Sequence, residues 1–236
     1  MSNLKISERF YSIQGEGKTT GVPAYFIRLT DCNLSCGASQ KLLNTIRKGE
    51  LEVDPNAQWH GDLHLNSEAT WTCDSIPVWI KGGIVPFQGL IEDWKKEEIY
   101  DDIYNGLCHI IWTGGEPTLP IHQRAIVEFL ESWENQVMFN NSTWISHFHP
   151  FQEIETNGTV FIETPLFKWL NQINCSPKLA NSGMSAKKRI VPEAIKRIME
   201  HKNYQFKFVI SSEDDIKEIF KDFIEPFNIP LKNVTC

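Results

Sequence analysis

Four short apolar segments of this chain each run into an unusual polar cluster, and that arrangement limits the possible folds more than any single motif. "AYFIRLTDC" at 24–32 leads into "DCNLSC", and "CHIIWTGG" at 108–115 leads into "TGGEP". "PFQEIETNG" at 150–158 carries "ETNGT", and "INCSPK" at 173–178 ends in "SPK". A fifth apolar segment is "YQFKFVIS" at 204–211. Helix-like stretches separate them. "LPIHQRAIVEFLESWEN" sets Ile126, Phe129, Leu130 and Trp133 at helical spacing, and "TPLFKWLNQ" follows the third segment. "SEDDIKEIFKDFIE" follows the fifth, with Ser212 as its N-cap and acids in its first turn. Strands alternating with helices pair in parallel through crossovers, so the expected class is α/β, as an open sheet or a barrel. In both, chemistry collects at the C-terminal ends of the strands, where the polar clusters fall.

Residues 37–72 interrupt this alternation. "ASQKLLNTIRKGE" fits a short helix ended by Gly49, and the rest reads as a surface excursion. His60 and His64 stand four residues apart there, but Gly61 weakens a helix between them, and solvated loop histidines are the expectation. We find no internal repeat, linker or low-complexity tract. One domain over 1–236 is expected, with an insertion at 37–72.

No apolar run is long enough to span a bilayer, and "MSNLKISERF" lacks the apolar stretch of a signal peptide. These features point to a cytoplasmic protein away from membranes. A net charge of −7 argues against a general nucleic-acid binder. Six cysteines in such a chain suit a reducing compartment, where clustered thiols lean towards metal or catalysis. Cys108 and Cys175 sit in strand-like runs and read as core. Cys32, Cys36 and Cys73 do not. A closed zinc site needs a fourth ligand, which a histidine of the insertion could supply. An iron–sulfur cluster on three cysteines instead leaves one iron open for chemistry. In "TGGEP", Gly114 and Gly115 remove side chains where a ligand must meet backbone, and Glu116 offers a carboxylate to an ammonium group.

"CNLSC" with a later cysteine, and "TGGEP" after the next strand, resemble the radical S-adenosylmethionine superfamily. Within it, "FYSIQGEGKTTGVPAYFIRLTDCNLSC", "CDS", "TGGEP", "IETNGT" and "SPK", in that order, resemble the 7-carboxy-7-deazaguanine synthase family from about Phe10 to Phe208. "SIQGEG" upstream of "FIRL" is the more specific part. The resemblance implies an incomplete TIM-type β/α barrel with parallel strands, the radical S-adenosylmethionine core. It implies a lyase that rearranges 6-carboxy-5,6,7,8-tetrahydropterin to 7-carboxy-7-deazaguanine with loss of ammonia. Cys32, Cys36 and Cys73 would hold a four-iron, four-sulfur cluster whose open iron chelates S-adenosylmethionine. The cofactor carries the radical chemistry, so no side chain is singled out as catalytic.

By the same resemblance, Thr72, Cys73, Asp74, Gly115, Glu116, Ser176, Pro177 and Lys178 would contact S-adenosylmethionine, with Glu155 and Asn157 beside them. Ile13, Gln14, Gly15, Glu16, Arg28 and Thr113 would read the pterin, with Arg28 pairing its carboxylate. Ser75 would be the protein ligand of a magnesium ion, a position usually threonine. An electron donor such as flavodoxin and a homodimer are also implied, and direct nucleic-acid contact is not.

Three features depart from the family. The second cysteine gap is greatly expanded, though loop closure costs only a logarithm of length. Thr72 replaces the tryptophan of the usual "WCD". The family continues beyond "NIPLKNVTC" to a segment that closes over the substrate, so a chain cut short after Cys236 is expected. Two other readings remain open on residues alone. One is another radical S-adenosylmethionine enzyme, such as a glycyl-radical activase, which would give "SIQGEG" and Arg28 no task. The other is a zinc-stabilised binding module.

Overall fold

Continuously apolar strands persist only where both faces are covered, and the central strands meet that condition. The computed structural model describes residues 3–50, 68–140 and 148–236. Its strands are β1 (Asn3–Ile13), β2 (Pro23–Leu29), β3 (Gly83–Pro86), β4 (His109–Gly114), β5 (Gln152–Thr156), β6 (Gln172–Cys175), β7 (Tyr204–Lys207) and β8 (Val234–Thr235). They form one sheet in the order β3-β1-β2-β4-β5-β6-β7-β8. All pairings from β2 through to β8 are parallel. The edges β3 and β8 do not meet, so the architecture is an α/β barrel left incomplete. No helix among the described residues is long and apolar enough to cross a membrane.

The outer face of the sheet is the main core. Ile27, Leu29, Ile110, Trp112, Ile154, Ile173 and Phe206 are buried there under the helices. The helix Pro120–Asn140 turns Ile126, Phe129, Leu130 and Trp133 inward, as its spacing predicts. Phe129 packs edge-on against Trp94 and Trp112, an arrangement that adds to simple burial. Cys108 and Cys175 are buried in this core, as read from sequence. Ser212 caps the helix Glu213–Ile219 in a reciprocal capping box with Asp215.

The edge strands β3 and β8 are absent from the sequence reading, and three further elements differ from it. The sheet is not wholly parallel, because β1 runs antiparallel to both β2 and β3. β1 was not anticipated: only Leu4 and Ile6 of its residues are buried, so its apolar signal is faint. The segment at 204–211 is a strand only to Lys207.

The turn between β1 and β2 is the third, and it does more than connect them. Gln14 reaches Glu155 of β5 at 3.3 Å, and the Thr19 hydroxyl donates to Glu153 at 2.9 Å. Glu16 pairs with Lys207 of β7, and Lys18 donates to the Tyr204 carbonyl at 2.8 Å. "SIQGEGKTTG" is therefore a strap across the inner face of the open barrel, and it makes part of the wall of the cleft described next.

Candidate active site

The polar clusters converge because strand ends are pinned to one another. His122, in the first turn of the long helix, meets the Thr30 carbonyl through Nε2 at 2.7 Å. A carbonyl only accepts, so Nε2 carries the proton. Asp31 follows with φ 59, a conformation aspartate tolerates better than most residues. Its carbonyl accepts the Glu116 N–H at 2.8 Å. Gly115 lies so near that a Cβ there would stand 1.8 Å from the Asp31 oxygen. The glycine in "TGGEP" is thus what lets the ends of β2 and β4 touch.

The split cysteine motif is rejoined by main chain. The Cys73 N–H donates to the Cys36 carbonyl at 3.0 Å, and the Gly37 N–H to the Ser182 carbonyl at 2.8 Å. The Thr70 N–H donates to the Asn181 carbonyl at 2.9 Å, and Ala69 forms an isolated bridge with Ser182. The outgoing limb enters the expected helix, Gln40–Arg47, capped by the Ser39 hydroxyl on the Leu42 N–H at 3.1 Å. His60 and His64 lie outside the described residues. Asn181 fastens the returning limb: its Oδ1 accepts from the Trp71 indole at 2.9 Å, while Nδ2 donates to the Val209 carbonyl and to Asp215. Asn181→Ala removes these bonds at a mostly buried position. It is expected to cost about 2 kcal/mol, a melting-temperature drop of roughly 4–8 °C for a domain of this size, read by thermal denaturation.

Cys32, Cys36 and Cys73 line one cleft of about 670 Å³, together with the strap, Arg28, Thr113 and residues of all four polar clusters. Burial pushes the Cys32 thiol up to about 12, with the Glu116 charge and the other two thiols adding to it. Burial also raises Cys36, to about 11, and Cys73, against the pull of Lys178 on both. As free thiols the three are neutral, so binding a metal group there must release protons. Among the described residues, no three His, Cys, Asp or Glu side chains converge as ligands of a single ion. A four-iron cluster makes a different demand, since each thiolate binds its own iron. The Thr72 hydroxyl, on the cleft wall, is buried without a hydrogen-bond partner among the described residues. An orphaned polar atom beside three clustered thiols suits a site that a polar ligand completes.

Each expected site residue has defined partners in the structure. Glu116 is 1 % exposed, and its carboxylate accepts from the Thr118 N–H and hydroxyl, the Thr156 hydroxyl and the Asn157 N–H. Three of those bonds fall on Oε1 and one on Oε2, so Glu116 clamps the two turns together while Oε2 keeps acceptor capacity for the ammonium group expected there. Glu155 accepts from Thr113 at 2.6 Å and from Gln14, so it orients two of the residues expected to read the pterin. Asn157 donates to Asn33 and towards Cys32 Sγ. Glu16 is engaged by Lys207, and Arg28 pairs with Glu8 at 3.2 Å while lying over the Phe10 ring. Ile13 and Gly15 line the strap side of the cleft. Asp74 and Ser75 lie side by side on the wall, Oγ to Oδ1 3.1 Å. The Lys178 ammonium donates to the Ser176 hydroxyl at 3.0 Å, whereas Pro177 is buried and lines no part of the cleft.

Lys207 and Trp71 also line the cleft, and sequence reasoning passed over both. Lys207 could have been found from the alternation of β7. Trp71 stands one place before Thr72, so an aromatic reaches the wall one residue earlier than the family pattern has it.

No protein-family model matches this chain. Among curated proteins, it is 25 % identical over 233 residues to a 7-carboxy-7-deazaguanine synthase of Halobacterium salinarum, covering 92 % of this chain and 67 % of that protein. A 7-carboxy-7-deazaguanine synthase of Clostridium acetobutylicum is 28 % identical over 238 residues, covering 98 % and 78 %. Another, of Aquifex aeolicus, is 28 % identical over 225 residues, covering 95 % and 73 %. The chain thus spans about two thirds to three quarters of the length of these relatives. Among solved structures, QueE from Escherichia coli superposes with a TM-score of 0.53 at 23 % identity, covering 94 % of this chain and 77 % of that one, which shows the fold to be shared.

Proposed function

We propose that this chain is a radical S-adenosylmethionine enzyme of the 7-carboxy-7-deazaguanine synthase family, converting 6-carboxy-5,6,7,8-tetrahydropterin to 7-carboxy-7-deazaguanine with loss of ammonia. The observation that carries the proposal is the cleft, in which three thiols from a split motif share a wall with Arg28, Thr113 and the strap. Relatives that bear this activity in their names match more than nine tenths of the chain.

Cys32, Cys36 and Cys73 hold the four-iron cluster on this reading. When bound, the reduced cluster and S-adenosylmethionine supply radical initiation by one-electron cleavage of the sulfonium. The rest falls to the chain. Thr72, whose buried hydroxyl lacks a partner among the described residues, receives a polar group of the cofactor, next to Asp74, Gly115, Ser176 and Lys178. Ile13, Gln14, Gly15 and Glu16 bound the pterin side, where Gln14 and Thr113 are already oriented by Glu155. Arg28 presents its planar fork to the substrate carboxylate, and Ser75 would offer its hydroxyl oxygen to a magnesium ion. We further propose a cytoplasmic, single-domain protein that works with a flavodoxin-type electron donor, as a homodimer.

The test is anaerobic reconstitution with iron and sulfide, followed by incubation with S-adenosylmethionine, a reductant and the carboxytetrahydropterin. 7-Carboxy-7-deazaguanine is expected by mass spectrometry. Cofactor cleavage without that product would reject the substrate and favour an activase. Arg28→Lys keeps the charge and loses the fork. It is expected to raise KM for the pterin about tenfold, the worth of one charge-assisted hydrogen bond, with a smaller change in kcat.

A further inference from the structure

We propose that Asn157 acts on the cluster rather than on S-adenosylmethionine: its side-chain N–H, held towards the sulfur of Cys32, raises the reduction potential of the bound cluster. The inference rests on the cluster reading above and adds to it a residue whose partner is a ligand sulfur.

The geometry leaves the amide one orientation. Asn157 is 7 % exposed, and its own N–H is fixed on Glu116 Oε2 at 2.8 Å. Its side-chain oxygen accepts from the Thr159 N–H at 2.9 Å and from the Thr159 hydroxyl at 2.5 Å. A backbone N–H can only donate, so the atom facing it is the oxygen, and a flipped amide would set donor against donor. Nδ2 must then face the other way, where it finds Asn33 Oδ1 at 3.0 Å and Cys32 Sγ at 3.8 Å. The two amide hydrogens thus have two acceptors. Asn33 closes the ring by donating to the Thr159 hydroxyl at 2.7 Å. Three side chains therefore lock one another, and the free direction of the ring is the sulfur.

Cys32 Sγ also receives the Leu34 N–H at 3.4 Å. Reduction adds negative charge to a cluster and its sulfur ligands, so a donor to a ligand sulfur stabilises the reduced form more than the oxidised one. Burial strengthens such a bond, and Asn157 and Thr159 are buried, with Asn33 at the exposed side of the ring. Asn157 is thereby a positioning residue, acting through Cys32.

The test uses Asn157→Leu, which removes the donor and keeps the branching at Cγ, and Asn157→Asp, which keeps the oxygen facing Thr159 and puts an anionic oxygen where the N–H was. Reconstituted proteins are titrated potentiometrically without S-adenosylmethionine, with the reduced cluster followed by electron paramagnetic resonance. The leucine variant is expected to be harder to reduce by about tenfold in equilibrium constant, a midpoint about 59 mV lower for one electron. The aspartate variant is expected to shift further in the same direction. Iron content and affinity for S-adenosylhomocysteine, measured by calorimetry, should stay near those of the parent. Unchanged midpoints in both variants would overturn the proposal, as would a loss of S-adenosylhomocysteine affinity at an unchanged midpoint. If the leucine variant holds no cluster, the aspartate variant decides. A parent protein without an iron–sulfur signal would instead reject the functional reading on which the proposal rests.

Discussion

Cys73→Ala protein is expected to fold, to emerge from anaerobic reconstitution without the brown colour of the parent, and to turn over no substrate. The fold should survive because what joins the two limbs is main chain. The Cys73 N–H bond to the Cys36 carbonyl, and the bridge of Ala69 to Ser182, need no thiol. The side chain itself packs at the edge of two small apolar groups, against residues such as Ile76 and Leu34, so its truncation costs about 1 kcal/mol in the metal-free protein. What is lost is a ligand. Two thiolates would remain where an open-iron cluster needs three, and a cysteine 37 places away in sequence from Cys36 is the missing one. Iron and sulfide analysis with a visible spectrum reads the outcome, and circular dichroism checks the fold. Cys108→Ala and Cys175→Ala are the comparison. Both cysteines lie in the main core, so these variants should lose stability and keep their iron. Full iron in the Cys73 variant would mean that the third ligand has been misassigned.

The legible part of this architecture was the part governed by local pattern. β2 and β4 are short and mostly apolar, β5 and β6 are short with buried Ile154, Ile173 and Cys175, and each is followed by a cluster that sequence alone marks as unusual. The helix Pro120–Asn140 shows its buried face in its spacing. β1 was missed because a strand with few buried side chains carries little alternation to read. The strap was legible as a motif but not as a structure. Its bonds join Glu16 to Lys207 and Gln14 to Glu155, pairs separated by most of the chain and made only once the sheet exists. The same holds for Glu116, which looks like a free carboxylate in "TGGEP" and becomes a clamp when β5 arrives with Thr156 and Asn157. Local propensity places an element. Only tertiary neighbours decide how its polar groups are used.

Gly37 is where that distinction carries the largest effect after the cysteines. Gly37→Ala is expected to remove most of the cluster from a protein that is otherwise folded. Gly37 has φ +74, and a Cβ on it would stand 1.8 Å from the Trp71 oxygen and 2.6 Å from the Thr72 Cα. Both are backbone atoms, with no rotamer to swing aside. Relief can come only by parting the limb that carries Cys36 from the limb that carries Cys73, against the 3.0 Å bond that joins them. Overpacking of this kind costs roughly 1–3 kcal/mol, and the left-handed backbone adds about 1–2 kcal/mol for a side chain. Gly49→Ala separates the two contributions. Gly49 has φ +71 and, among the described residues, nothing within 4 Å of the added carbon, so its variant carries the backbone cost without the collision. The expected pair of results is a small drop in melting temperature with full iron for Gly49→Ala, against depleted iron and lost turnover for Gly37→Ala. Equal iron in the two would show that the close contact of the limbs does not hold Cys73 in place. The insertion between Cys36 and Cys73 would then reach the cluster by some other support, with Asn181 and its hold on Trp71 the next residue to test.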